Sequence, residues 1–315
     1  MFEIKITAFE GIEVITLFNS ISEEYVSVIP SHGGNLHELV LQKENILYDV
    51  LYKNNNTQEL LGTNQNFYRG AKLSPFPNRI DQGEYIFENT AYALTKNDNA
   101  MHALHGLLWN KPFNVHEIKT SLESAEVILS YSYQQEHEGY PFSYIITITY
   151  QLSLDGLTIS TRVVNTSNTS IPIGDGWHPY ITTGIEINQL KLKIPTRYKI
   201  ESDEKLIPTG KIIEDNTFEV FASIGDATLD TCFVLDTQQK IAETILLDEE
   251  QNIRIVVWQE SDTAYPYVHI YTPPDRRSLA IEPISCIPNA FASKNSIHIL
   301  KPEEERTYAF GIMLR

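Results

Sequence analysis

Apolar and polar residues alternate with a period of two through most of the chain, which places successive side chains on opposite faces of strands. The pattern is clear in Phe2-Glu3-Ile4-Lys5-Ile6, Tyr25-Val26-Ser27-Val28-Ile29 and Tyr144-Ile145-Ile146-Thr147-Ile148-Thr149-Tyr150. It recurs in Leu157 to Val163, Leu190 to Ile194, Ile253 to Trp258 and Tyr267-Val268-His269-Ile270-Tyr271. Turn signals punctuate these runs at Asp155-Gly156, Asn165 to Asn168 and Pro273-Pro274-Asp275. Helical periodicity is scarce: Asn56 to Gly62 and Thr237 to Glu243 suit short turns, and no apolar stripe lasts four turns. Many short strands with few helices predict an all-β fold, a large antiparallel β-sandwich. No linker, charge block or repeat divides the chain, so residues 1–315 are expected to form one domain.

Charge narrows the partners. Against 24 Lys+Arg stand 41 Asp+Glu, a formal charge of −17, and a surface this acidic repels nucleic acid and anionic membranes. The start, MFEIKITAFEGIEVITLF, has no basic segment followed by a continuous apolar run and small-residue cleavage site, so no signal peptide is expected. No stretch approaches the ~18–20 apolar residues of a membrane helix. Cys232 and Cys286 lie in apolar contexts and suit buried free thiols, as in a reducing cytoplasm. The expectation is a cytoplasmic protein that binds neither nucleic acid nor membrane.

Four segments interrupt the alternation with residues able to do chemistry. In Lys72-Leu73-Ser74-Pro75-Phe76-Pro77-Asn78-Arg79, two prolines stiffen a loop that ends on Asn78 and Arg79. A guanidinium held there presents fixed donors to hydroxyls or carboxylates, or else pins the loop to backbone carbonyls. In His102-Ala103-Leu104-His105-Gly106, two imidazoles three apart are too few for a metal site and would face opposite ways on a strand. His105 is the better site candidate, since Gly106 allows a ligand close to the backbone. In Gly174-Asp175-Gly176-Trp177-His178-Pro179-Tyr180, His178 is either a core histidine or a functional one, flanked by aromatics that could line a sugar face. In Leu279-Ala280-Ile281-Glu282-Pro283, a carboxylate at an apolar strand end needs a task or a partner, the nearest in sequence being Arg276 or Arg277. Signatures of serine hydrolases, P-loops and dinucleotide folds are absent.

Taken in order, Pro77-Asn78-Arg79-Ile80, His105-Gly106, His178-Pro179-Tyr180 and Glu282-Pro283 resemble the aldose 1-epimerase (galactose mutarotase) family. Leu229-Asp230-Thr231-Cys232-Phe233 is similar to the family's Asp-containing segment, and the words span most of the chain. The resemblance implies a galactose mutarotase-like supersandwich whose cleft binds a pyranose, with no cofactor and no metal. It implies Glu282 as the base that takes the anomeric proton and His178 as the acid that protonates the ring oxygen. Ring opening, rotation about C1–C2 and reclosure, with the two residues exchanging roles, would then interconvert the anomers. By the same resemblance His105, Arg79 and Asp230 hold sugar hydroxyls, with Asn78 and Trp177 as neighbours. The implied partner is a small-molecule sugar, met by a monomer or homodimer. Leu107 and Ile181-Thr182-Thr183-Gly184 depart from the galactose-active members while leaving acid and base in place.

Three alternatives share some of these residues. A hexose-6-phosphate 1-epimerase needs a basic cluster, to which Arg69 and Lys72 are the candidates near Arg79. A non-catalytic carbohydrate-binding protein needs the aromatics and Arg79 but gives no reason for Glu282 and His178 to face each other. A glycoside hydrolase needs two opposed carboxylates, for which Asp175 or Asp230 would partner Glu282.

Overall fold

A computed structural model describes residues 1–63 and 67–315. Among them the strands form three principal antiparallel sheets, as the alternation predicts. The first is a meander of Phe2–Phe9, Ile12–Asn19, Tyr25–Ile29, Asn35–Lys43 and Ile46–Asp49. The second runs from Asn114–Thr120 through Ser124–Gln134, Ser143–Ser153 and Gly156–Asn165. It then takes in Glu305–Leu314, Ile253–Glu260, Ile241–Asp248, Lys191–Lys193 and Ala222–Ser223. The last strand of the chain thus lies between Gly156–Asn165 and Ile253–Glu260 and joins distant parts of the sequence.

Packing follows from the period. Along Ser143–Ser153, Tyr144, Ile146, Ile148, Tyr150 and Leu152 are buried, and the residues between them stand partly or fully in solvent. Each large apolar side chain so buried contributes about 1.5–3 kcal/mol relative to exposure. A one-residue slip would turn this whole set outward, so the register is strongly specified. One apolar cluster draws on both ends of the chain, from Phe2 and Ile15 to Phe310 and Ile312.

The third sheet positions the chemistry. Its order is Pro208–Glu214, Tyr198–Ser202, Asp230–Val234, Tyr267–Tyr271, Leu279–Ile284, Gly176–His178 and Ala71–Leu73, with Tyr180–Ile181 also pairing on Leu279–Ile284. Every residue of Leu279–Ile284 is buried, so any side chain on it is screened from bulk water. Helices among the described residues are short, at Glu59–Thr63, Asp81–Gly83, Ile187–Gln189 and Ala290–Ser293. None is long and apolar enough to cross a membrane. The turn expected near Asn56 forms, with Asn56 Oδ1 accepting the Glu59 N–H at 2.8 Å. Only the start of Thr237 to Glu243 is a turn, since Ile241 already begins the Ile241–Asp248 strand and buries Ala242 and Thr244 against the core. Both cysteines are buried free thiols.

Candidate active site

Four neighbouring strands of the third sheet each bring one ionisable side chain to the same cavity: Asp230, His269, Glu282 and His178. His269 and Glu282 are direct cross-strand partners, so their side chains share a face. Asp230 pairs with Tyr271, which puts it diagonal to His269 on that face. The contacts follow this register. His269 Nε2 lies 2.7 Å from Asp230 Oδ1, and His178 Nε2 lies 3.5 Å from Glu282 Oε1.

The facing wall comes from the proline loop. Arg79–Ile80 pairs with Ala103–Leu104, so Arg79 and His105 reach the cavity from one short ladder. Asn78 N–H donates to His105 Nδ1 at 3.2 Å, leaving His105 Nε2 for the cavity side of the ring. Arg79 Nε donates to Asp98 Oδ2 at 2.7 Å, and its terminal nitrogen lies 3.7 Å from Asp230 Oδ2. Tyr180 stacks on His178 at 4.9 Å between ring centroids and 8° between planes, which holds the imidazole plane. The cavity is about 230 Å³. Larger surface hollows of about 690 Å³ and 520 Å³ lie elsewhere and are lined without a histidine among the described residues.

The glycines serve this loop rather than a ligand. A Cβ on Gly106 would sit 2.3 Å from Ser74 O, and Gly106 has φ +75. A Cβ on Gly174 would meet Cys286 Sγ at 2.7 Å and Pro77 at 3.0 Å, and one on Gly176 would meet Pro77 and Ile284 at 3.0 Å. The close approach expected of a ligand at Gly106 is therefore made by the chain itself, which draws the proline loop against the His178 strand. Asn78 and His105 both take positive φ, 55° and 60°, a local strain that the surrounding hydrogen bonds maintain.

Burial sets the electrostatics. It raises the Glu282 carboxyl to about 8, with Asp230 adding to the rise and His269 and Arg79 opposing it. It lowers the His178 imidazole to about 3, and the neighbouring His269 charge adds to that. Burial also drives His105 well below its ordinary range, helped by His178 and Arg79. His269 goes the other way. Burial pulls it down, but the Asp230 hydrogen bond and the charges of Glu282 and Asp230 outweigh that and raise it. For Asp230 burial pushes up, but the His269 bond and the charges of His269 and Arg79 hold the carboxyl below its ordinary value.

Of the residues expected from the sequence, Glu282, His178, Arg79, His105, Asp230 and Asn78 all line the cavity. Trp177 does not. It points away from His178, as adjacent strand residues must, and is buried against Tyr150 and Phe310 with Lys72 over its ring. His102 lies outside the cavity, its Nδ1 taking the Gln82 N–H at 3.2 Å. Arg276 is occupied by Asn188 and the Ala227 and Gly225 carbonyls, away from Glu282. Sequence reasoning missed His269, Tyr68, Tyr271 and Asp98. Only the register across the turn at Pro273-Pro274-Asp275 sets His269 opposite Glu282.

His105, His178 and Glu282 have their ligand-capable atoms within 4.8 Å of one another. What the arrangement can do unaided is exchange protons. Glu282 Oε2 and His178 Nδ1 have no hydrogen-bond partner among the described residues, and each such buried atom costs about 1–3 kcal/mol until a hydroxyl or water meets it.

The chain is similar to known proteins. The aldose 1-epimerase family model matches residues 13–312. YihR of Escherichia coli K12 is 27% identical over 249 residues, covering 77% of this chain and 78% of that protein. The crystal structure of a galactose mutarotase-like protein from Clostridium acetobutylicum superposes with a TM-score of 0.87 at 22% identity, covering 100% of this chain and 98% of that one. Galactose 1-epimerase from Lactobacillus acidophilus superposes with a TM-score of 0.81 at 18% identity, covering 100% and 99%.

Proposed function

Because the chain belongs to the aldose 1-epimerase family, a family of isomerases, we propose that it interconverts the α and β anomers of a free aldohexose. The observation that carries this reading is the Glu282–His178 pair, 3.5 Å apart and buried in a cavity that Arg79, His105, Asp230 and Asn78 also line. In the ring-opening direction Glu282 as carboxylate removes the anomeric hydroxyl proton while His178 as imidazolium protonates the ring oxygen. The C1–O5 bond breaks and the open aldehyde forms. Glu282 and His178 are now both neutral, the state that burial favours for each. After rotation about C1–C2, Glu282 returns its proton to the carbonyl oxygen and His178 takes the proton from the C5 hydroxyl as the ring closes. Acid and base together avoid both a free alkoxide and a free oxocarbenium ion, each worth ~10²–10⁴-fold. The two protonation states of the pair hold the same single proton, so one turnover leaves the enzyme as it began.

Arg79, His105 and Asp230 are assigned to sugar hydroxyls, with Asn78 holding His105 in place through its backbone. A free sugar is favoured over a phosphorylated one by the charges around the cavity. Arg79 is the one Lys or Arg among its lining residues, and it is already matched by Asp98 and Asp230. The other expected phosphate ligands are engaged: Lys72 pairs with buried Asp175, and Arg69 pairs with Glu59 at 3.7 Å. That same Lys72 pair removes Asp175 from the role of a second hydrolase carboxylate. Polarimetry or exchange NMR on freshly dissolved α-glucose and α-galactose, beside their 6-phosphates, tests the proposal. Acceleration for the neutral sugars is expected. Acceleration confined to the phosphates would transfer the assignment to a hexose-6-phosphate 1-epimerase, and binding without turnover would leave a carbohydrate-binding protein.

A further inference from the structure

We propose that His269 is a positioning residue of this site, holding Asp230 through Nε2 and presenting a reversible positive charge to Glu282 across the strand pair. The proposal rests on the epimerase reading for its kinetic consequences, and on the contacts and charges around the ring for its ionisation. His269 stands directly opposite Glu282 in the register and bonds Asp230 at 2.7 Å, so it touches both carboxyl groups' surroundings at once.

The hydrogen-bond network defines its two forms. Asn78 Oδ1 accepts the Arg79 N–H at 2.9 Å, which fixes the amide and turns its NH₂ group toward His269 Nδ1 at 3.4 Å. In the neutral form Nδ1 accepts this long bond while Nε2–H donates to Asp230. Protonation of Nδ1 gives up one weak hydrogen bond and gains a charge-assisted one to Asp230. The groups facing the ring divide by sign. Asp230 and Glu282 favour its cation, while Arg79 opposes it, and His178 and His105 feel its charge. Cys232, its partner on the other neighbouring strand, is a buried thiol held far above its ordinary range and stays uncharged.

The charge has work to do in the cycle. Ring opening needs Glu282 ionised and His178 protonated, whereas burial favours the neutral pair. A cation at His269 stabilises the Glu282 carboxylate. It disfavours protonated His178, so the gain is to the base and the ring-opening step is balanced between them. Without His269 the carboxylate must form beside Asp230 with only Arg79 to offset it.

Two measurements decide the matter. Histidine-selective NMR titration, with the His269 resonance identified by its loss in His269→Gln, should show His269 protonating above the ordinary imidazole range. Its midpoint should fall in Asp230→Asn and in Glu282→Gln. An unchanged midpoint in both variants would overturn the proposal. In the kinetic arm, His269→Gln keeps a donor for Asp230 but cannot carry charge. Its KM should stay within about threefold, while both limbs of the kcat/KM–pH profile, the acidic one set by His178 and the basic one by Glu282, move up by roughly 1 pH unit. His269→Ala should show the same shift with a larger rise in KM. A profile for His269→Gln that superposes on the wild type would reduce His269 to a hydrogen-bond donor. If the wild-type protein anomerises no aldose, the epimerase reading fails, and the titration still decides the ionisation of His269.

Discussion

Two buried ionisable clusters lie on opposite sides of the Gly176–His178 strand, and they are built differently. On the core side Lys72 Nζ donates to Asp175 Oδ1 at 2.5 Å, and Tyr265 donates to the same oxygen at 2.6 Å. Ser285 accepts the Asp175 N–H, and both members of the Lys72–Asp175 pair are fully buried. On the cleft side His178 and Glu282 stand 3.5 Å apart, and each keeps a polar atom without a partner among the described residues. Burial lowers Lys72 to about 8 and raises Asp175, just as it raises Glu282 and lowers His178, so desolvation acts on both clusters alike. What differs is how the members of each pair meet: Asp175 Oδ2 also lacks a partner among the described residues, but Asp175 Oδ1 is bonded directly to Lys72 and Tyr265, whereas His178 and Glu282 stand 3.5 Å apart. The core pair is held in short bonds and serves the fold; the cleft pair is left for a ligand to complete, and its proton is free to move.

The largest effect should come from breaking the cleft pair. Glu282→Gln and His178→Asn should each reduce kcat by ~10²–10⁴-fold with the melting temperature kept or raised, since each removes a costly buried group. Anomerisation kinetics with a parallel thermal melt would check this. Full activity in Glu282→Gln would mean that the base is another group. The core pair should respond in the opposite sense. Lys72→Met leaves Asp175 buried and unpaired, and should destabilise by about 3–5 kcal/mol, readable by chemical denaturation. Changing both partners, in Lys72→Met with Asp175→Asn, should recover much of that loss.

The same contrast explains what the sequence made legible. Strands such as Ser143–Ser153 and Gly156–Asn165 bury one face, so composition and period alone placed them. Most of the site was legible because Asn78, Arg79, His105, His178 and Glu282 fall where the alternation is broken. His269 was hidden because it sits inside unbroken alternation, where its face differs only in carrying Tyr267, His269 and Tyr271 beside buried Val268 and Ile270. Its role depends on which residue stands opposite, a fact of register rather than of type. Trp177 failed for the converse reason. Its nearness to His178 in sequence suggested the cleft, but strand geometry sends neighbours to opposite faces, and the aromatic went to the core. The glycines were legible as sites of close approach, yet nothing in one sequence says whether the approaching atoms belong to a ligand or to the proline loop.

Arg79 lies between the two kinds of cluster, since it is bonded within the protein and faces the cavity. If it served only to pin the loop through Asp98, Arg79→Ala would lower stability and leave the kinetics of the folded fraction unchanged. As a sugar ligand it contributes a charged hydrogen bond of about 1.5–3 kcal/mol, a rise in KM of roughly 10- to 100-fold. Asp230→Ala should likewise raise KM. Substrate-saturation curves for the two variants separate these roles, and an unchanged KM in Arg79→Ala would assign it to the loop.

The smallest effect, and the one that reads the cleft pair without substrate, is the dependence of stability on pH. Folding raises the Glu282 carboxyl from its ordinary 4.5 to about 8, so between those values the folded protein keeps a proton that the unfolded chain releases. The stability this contributes is complete below pH 4.5 and is lost as pH rises through 8. His178 acts in the opposite window. Its imidazole falls from 6.5 to about 3, so its contribution is present above pH 6.5 and lost as pH falls toward 3. Between pH 6.5 and 8 the His178 contribution is therefore level and the Glu282 slope remains. Over that interval wild type should lose about 1–2 kcal/mol more stability than Glu282→Gln, because a full proton difference is worth ~1.4 kcal/mol per pH unit. Denaturant midpoints at the two pH values measure the difference directly. Parallel curves for the two proteins would place the Glu282 carboxyl in its ordinary range, and with it would go the distinction between a proton held ready in the cleft and charges locked in the core.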